Sequence, residues 1–384
     1  MKHFNKYSIK CLNFIKTNKI DIYIDKNKLN EFKVKLPKFK KTNIEKIFYK
    51  KNNPIKEFGS LPTIAKKNNI DNLQDLIIAD LNGSLIRKNS NRFIALDIIN
   101  FIEQNTSSIY KFNSPFNNNI NITTFETLDR DLVNQIFTIL LFMKELGKGK
   151  IIKNLNIILT PLKKKIYLLN GFLSQYNVNS GSCYPRHSIE IWRKEEILKV
   201  LIHELVHYYE LDFNPSYPNY NLLITYLNQM FNIEGKINPF EGYTDTLAIL
   251  LHSHFISEIT NISFEKILLY EINWSCFQCA KIINIFKGDS YQSMFDITIK
   301  QKSNILSYYI LKASLLCNIN KTIEFVSNNI PFSANIESFI NLLNSSLKNE
   351  TFKIMNNHYL RLLKNKNEKF IYQSLRMSCV ELKF

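Results

Sequence analysis

Apolar positions change period several times along this chain, and each change predicts an element. Over residues 129–146 they recur at three- and four-residue spacing, the pattern of an amphipathic helix, and Gly147 stops it. Residues 120–125 and 155–160 are short runs rich in β-branched side chains and read as strands. Ser188, Ile189, Glu190, Ile191, Trp192 and Arg193 alternate polar and apolar, the period of a half-buried strand. Val200, Leu201, Ile202, Leu205, Val206, Tyr208 and Tyr209 then make a stretch that is apolar nearly all round, which predicts a buried helix. Glu195 and Glu196 stand where its positive end begins. Pro215, Pro218 and Pro239 make the next segment a loop around one short helix at 221–231. A further helix is predicted over 240–251, with Pro239 tolerated near its start. From 261 to 384 the period is almost wholly helical, ending in a helix near 352–365 that is basic on one side.

Three regions follow. Residues 1–120 form an N-terminal accessory region, with turns at Asn53-Pro54, 59–62 and Asn82-Gly83 and helices predicted near 72–78 and 92–104. A linker rich in Asn, Ser and Pro at 113–121 marks its end. Residues 121–260 hold the strands and the buried helix, and 261–384 form a helical C-terminal domain expected to build the other wall of a cleft.

Composition narrows the class. A hydrophobic fraction of 45% and an aromatic fraction of 13% in 384 residues are enough for a sizeable core. Nine glycines and ten prolines are too few for an all-β sandwich. No stretch is long and apolar enough for a transmembrane helix. Lys2, Lys6, Lys10 and Lys16 interrupt the N-terminus, which reads as a surface segment, with a weak basic amphipathic helix as the alternative, rather than a secretory signal. The six cysteines are therefore expected as reduced thiols in an intracellular compartment. Cys276-Phe277-Gln278-Cys279 sits in a helical stretch and reads as two buried thiols. The net charge of +17 predicts affinity for anions, at most weak nonspecific nucleic-acid binding. Its densest part, 35–51, reads as a solvated loop, in keeping with the Lys, Asn and Ile bias of an AT-rich genome.

The chemistry lies in His203-Glu204-Leu205-Val206-His207. Two histidines four apart share a helix face and can hold one Zn²⁺ at ~2.0–2.1 Å. The glutamate between them is placed to take a proton from an activated water, the H-E-x-x-H logic of peptide hydrolysis. A catalytic zinc needs a third protein ligand. Glu241 is the best candidate, and Asp245, four residues on, shares its face and can accept a histidine N–H. Glu210, Asp212 and Glu234 compete for the ligand role. His252 and His254 lie three to four turns past Glu241 and read as packing residues.

H-E-x-x-H followed by E-x-x-x-D on a second helix resembles the gluzincin zinc metallopeptidases. The turn-rich 179–185, the I-x-I-x-R strand and the metal motif together are similar to uncharacterised zincin-like proteins of large DNA viruses. The likeness covers about residues 120–315, and only the metal motif within it is specific. It implies a helix-rich α+β fold: a zincin-like catalytic domain with a small mixed sheet and an active-site helix, between the flanking regions. It implies Zn²⁺ on His203, His207 and Glu241, Glu204 as general base, and Asp245 as partner of a ligating histidine. Ser188, Ile189, Glu190, Ile191 and Trp192 would be an edge strand that pairs with an extended substrate. Tyr308 or Tyr309 would donate to the oxyanion. A peptide or protein substrate, cleaved internally in the cytoplasm, a virion or a viral factory, completes the expectation. The gap from His207 to Glu241 is longer than in the family's familiar member, and Gly242 falls early in the second helix. Glu210 and Phe213 stand where a metzincin needs Gly and His. Two further readings remain open: a non-catalytic basic protein, nucleic-acid- or virion-associated, on a zincin scaffold, and a zinc hydrolase of a non-peptide substrate.

Overall fold

A computed structural model describes residues 2–40, 57–58, 94–105, 107–113, 119–364 and 369–384. The helix predicted at 72–78, the turns at Asn53-Pro54, 59–62 and Asn82-Gly83, and most of the basic stretch 35–51 lie outside them. The fold is α+β, rich in helix, with a small mixed sheet. Contacts group the chain into two units: Met1–Lys38 with Lys164–Val178 and Glu210–Lys383, and Phe39–Lys163 with Asn179–Tyr209 and Phe384.

The second of these is the sheet unit. Its strands are β1 (Glu57–Phe58), β2 (Ser108–Asn113), β3 (Asn119–Thr124), β4 (Asn154–Leu159), β5 (Gly181–Tyr184) and β6 (Ser188–Ile191), in the order β1-β2-β3-β4-β6-β5. β3 with β4 and β4 with β6 run parallel, and the other pairs are antiparallel. Alternation decides the faces. Ile120, Ile122, Leu155, Ile157, Ile189 and Ile191 occupy alternate positions and are buried. On β2, Phe112 stacks edge-on against Phe137 of the helix Arg130–Leu146. Asp129 caps that helix by accepting from the N–H groups of Asp131 and Leu132.

Two expectations need correction here. The stretch read as a linker at 113–121 joins two paired strands, since Asn113 lies opposite Asn119 in an antiparallel hairpin. β6, taken as the edge strand, is interior: β4 and β5 occupy its two sides, and all four of its residues are buried. Its backbone groups are spent on neighbours, so Ser188, Ile189, Glu190 and Ile191 have no free ladder to offer a peptide. The terminal strand of the sheet is β5, which the sequence disguises as a Gly/Ser turn.

The helical unit is built around two long helices, Phe240–Thr260 and Phe264–Ile285, buried along most of their lengths. A π-helical turn, Leu306–Leu311, leads into Lys312–Cys317 and the helices Ile319–Asn328, Ile336–Leu347 and Glu350–Leu363. The helix Lys6–Asn18 also belongs here. Its N-cap Asn5 accepts from Tyr7 and Ser8, and one face buries Cys11, Leu12 and Ile15 while Lys6, Lys10 and Lys16 stay exposed, so the segment is an amphipathic helix rather than a plain surface stretch. Two short parallel strands, β7 (Asn232–Glu234) and β8 (Thr298–Lys300), complete the unit. The C-terminal residues run extended through its interior. The Glu271 carboxylate accepts from Ser378 Oγ at 2.6 Å and from the N–H groups of Cys379 and Val380.

Candidate metal centre

The helix Ile197–Tyr208 carries the histidines. It starts abruptly. Glu196 sits at φ 60, a left-handed residue that turns the chain straight from the sheet into the helix. Its other end is pinned by two phenols: Tyr208 Oη donates to Ile151 O at 3.1 Å and accepts from Lys153 N, and Tyr209 Oη donates to Lys150 O. Burial pushes both phenols up, so they remain protonated donors. Between these anchors His203 and Glu204 are buried and His207 is half-buried. The imidazoles stack edge-to-face with centroids 4.9 Å apart, as one shared helix face requires.

Glu204 lies under the backbone of β5. A Cβ on Gly181 would stand 2.7 Å from Glu204 Oε1 and 3.0 Å from its Cδ. Only glycine lets the strand pass this close to the carboxylate.

Glu241 is the second residue of the helix Phe240–Thr260. The start of that helix rests on the π-helical turn. Ser307 Oγ donates to Asn238 O at 2.8 Å, Asn238 Nδ2 donates to Asn304 Oδ1, and a Cβ on Gly242 would meet Leu311 Cβ at 3.0 Å. The early glycine is therefore a packing requirement of this helix. One turn on, the fully buried Asp245 accepts from Lys312 Nζ at 2.8 Å, and Lys312 also donates to Met377 O.

Ligand atoms of His203, His207 and Glu241 all lie within 4.8 Å of one another. Two imidazole nitrogens and a carboxylate form a donor set that could hold a metal ion, and one whose chemistry suits Zn²⁺. The carboxylate in the group is Glu241, four residues before Asp245. Asp212 instead accepts from Thr244 Oγ1 at 2.6 Å, Glu234 pairs with Lys300, and Glu210 is a left-handed residue just past the histidine helix. His252 and His254 are buried, and burial holds His254 down at about 4. Tyr309 is fully buried and donates to Leu375 O, while Tyr308 is half-buried with its hydroxyl accepting from Asn304 Nδ2. Trp192 is buried and donates to Asn179 O. Cys276 lies 2.9 Å from Cys317 Sγ rather than against Cys279.

The sequence reading missed Tyr220. This residue opens the helix Tyr220–Met230, directly after left-handed Asn219. Its ring packs between Phe213 and Phe240, and its hydroxyl is buried with no hydrogen-bond partner among the described residues. Burial first and the Glu241 carboxylate second push this phenol upward, so it stays a proton donor beside Glu241. Nothing in the sequence marks it among 19 tyrosines. Gly181 was the other omission, and a glycine flanking a strand was its available signal.

The chain is 28% identical over 230 residues to an uncharacterised protein of Acanthamoeba polyphaga mimivirus, across 55% of this chain. The chain covers about half, 54%, of that relative's length. No family model matches, and no solved structure matches.

Proposed function

We propose that this chain is a zinc-dependent peptide-bond hydrolase of gluzincin type, active in a viral setting. The observation that carries the reading is the convergence of His203, His207 and Glu241, with Glu204 buried on the same helix as the two histidines. Zinc held there would supply a water acidified toward a pKa of ~7 and a Lewis acid for the scissile carbonyl. Glu204 takes the proton of the attacking water on its carboxylate and returns it to the leaving amine. Tyr220, a protonated phenol with a free hydroxyl, donates to the carbonyl oxygen as negative charge grows there. β5, the terminal strand, offers its outer ladder to an extended peptide, a contact tolerant of side chain.

The test is metal content and cleavage of a peptide library by the wild type beside three variants. About one zinc per chain is expected, weakened in Glu241→Ala. Glu204→Gln should keep the zinc and lose roughly 10²–10⁴ in rate. Tyr220→Phe should keep the zinc and lose about 10²–10³ in kcat. Zinc-loaded wild type that cleaves no peptide would overturn the hydrolase reading. Zinc binding undiminished in Glu241→Ala would move the third ligand elsewhere.

A further inference from the structure

Residues 165–173 of the helical unit form a tight hairpin. Leu169 and Phe172 exchange backbone hydrogen bonds at 3.1 and 3.0 Å. Between them Asn170 (φ 53) and Gly171 (φ 82) are both left-handed, the Asn-Gly solution to a two-residue turn. The base is tied down on both sides. Ile166 N donates to Gln373 O, Leu173 N donates to Lys300 O, and Asn177 Nδ2 donates to the carbonyls of Lys165 and Tyr167.

This rigid tip is apolar and faces outward. Tyr167, Leu168 and Leu169 are 63%, 40% and 37% exposed, three neighbours in sequence. Contiguous apolar surface on an ordered element costs solvation and marks a contact. The tip also wears a collar of cations. Lys165 and Lys302 are exposed, and Lys300 and Lys302 hold their ammonium groups 5.8 and 5.1 Å from the Phe172 ring. Glu234 pairs with Lys300 at 3.1 Å, which leaves the collar net positive on a chain that is itself +17.

We propose that this hairpin docks the chain onto an anionic lipid surface. Tyr167, Leu168 and Leu169 enter the boundary between headgroups and acyl chains, and Lys165, Lys300 and Lys302 meet the phosphates. An outward apolar tip with lysines behind it matches the layering of a bilayer interface, apolar within and anionic above. The inference is independent of the metal centre and involves no spanning helix: among the described residues none is long and apolar enough to cross a membrane.

The experiment is co-sedimentation of the full chain with phosphatidylcholine vesicles, with and without about a third phosphatidylserine. Binding should require the anionic lipid and weaken with salt. Leu168→Ser with Leu169→Ser should lower affinity on the order of a hundredfold, since each buried CH₂ contributes ~0.8 kcal/mol. Lys165→Glu with Lys302→Glu should lower it at least tenfold, at about 1 kcal/mol per lysine. All four side chains are exposed, so an unchanged Tm is expected and separates lost docking from lost fold. Tyr167→Trp adds a reporter whose emission should shift to the blue on adding the anionic vesicles. Equal sedimentation of wild type and the leucine variant, no emission shift, or a tip that captures a protein while ignoring vesicles would each overturn the proposal.

Discussion

Two buried charges, Asp245 of the helical unit and Glu190 of the sheet unit, are handled in opposite ways. In the helical unit several buried ions have partners within the core. Asp245 has Lys312, Arg376 has Glu381, Glu271 has a hydroxyl and two backbone N–H groups, and Lys281 donates to the carbonyls of Ile371 and Ser374. In the sheet unit Glu190 is buried on β6 between Asn156 and Ser182, its partners in register, and its carboxylate makes no hydrogen bond or ion pair among the described residues. Burial alone pushes its carboxyl up to about 7. Removing the Lys312 charge should therefore damage the first unit, and removing the Glu190 charge should relieve the second.

The largest effect is expected at Lys312. Lys312→Met takes the cation from the buried Asp245 carboxylate, and breaking one side of a buried pair costs about 3–5 kcal/mol. The double variant Lys312→Met with Asp245→Asn should recover much of that, because the Asp245 charge leaves with its cation. Chemical unfolding of wild type, single and double variants measures it. A single variant as stable as wild type would break the comparison on its helical side.

Glu190 has the opposite sign. Its folded carboxyl titrates at about 7 against 4.5 for the unfolded chain, so the folded state binds more protons between those values. Stability should then fall as pH rises from 4.5 through 7, by at most about 3 kcal/mol. Glu190→Gln should remove that slope and leave the protein more stable than wild type at pH 8. His254 works the other way. Its folded value near 4 lies below 6.5, so it makes stability rise with pH across that window. The difference between wild type and variant, not the raw curve, is what reads Glu190. Identical pH dependence in the two proteins would show that this carboxyl carries no penalty.

Legibility in the sequence followed the same division. The histidine helix could be read because apolar residues on every side of His203 and Glu204 leave few other ways to satisfy them. Glu241 and Asp245 could be read as a face of one helix, but the pairing of Asp245 with Lys312 joins residues 67 apart in sequence, which no periodicity carries. The helix at 129–146 was legible because period, cap and closing glycine agree. β6 was legible as a strand but not as an interior one. Strand order depends on where Gly181–Tyr184 folds back, and that strand is only four residues long with a glycine at its head. Tyr220 was invisible because its significance is spatial: a phenol beside Glu241, at the first position of a helix expected to begin one residue later.

The smallest predicted effect on stability is the sharpest test of the sheet unit. Glu204, another buried carboxylate of this unit, lies in close contact with a strand. Gly181→Ala places a methyl 2.7 Å from Glu204 Oε1, so either β5 or the carboxylate must shift. Overpacking of this kind costs about 1–3 kcal/mol. Neither His203 nor His207 is touched, so under the proposed function zinc content should stay at the wild-type level while peptide cleavage falls. Replacing Glu204 by Gln in the same background should cause no further loss, because the carboxylate proposed as base is already displaced. If Gly181→Ala cleaves as wild type does, the close approach of β5 is packing without consequence for Glu204. If it loses zinc, the strand supports the histidines rather than the base.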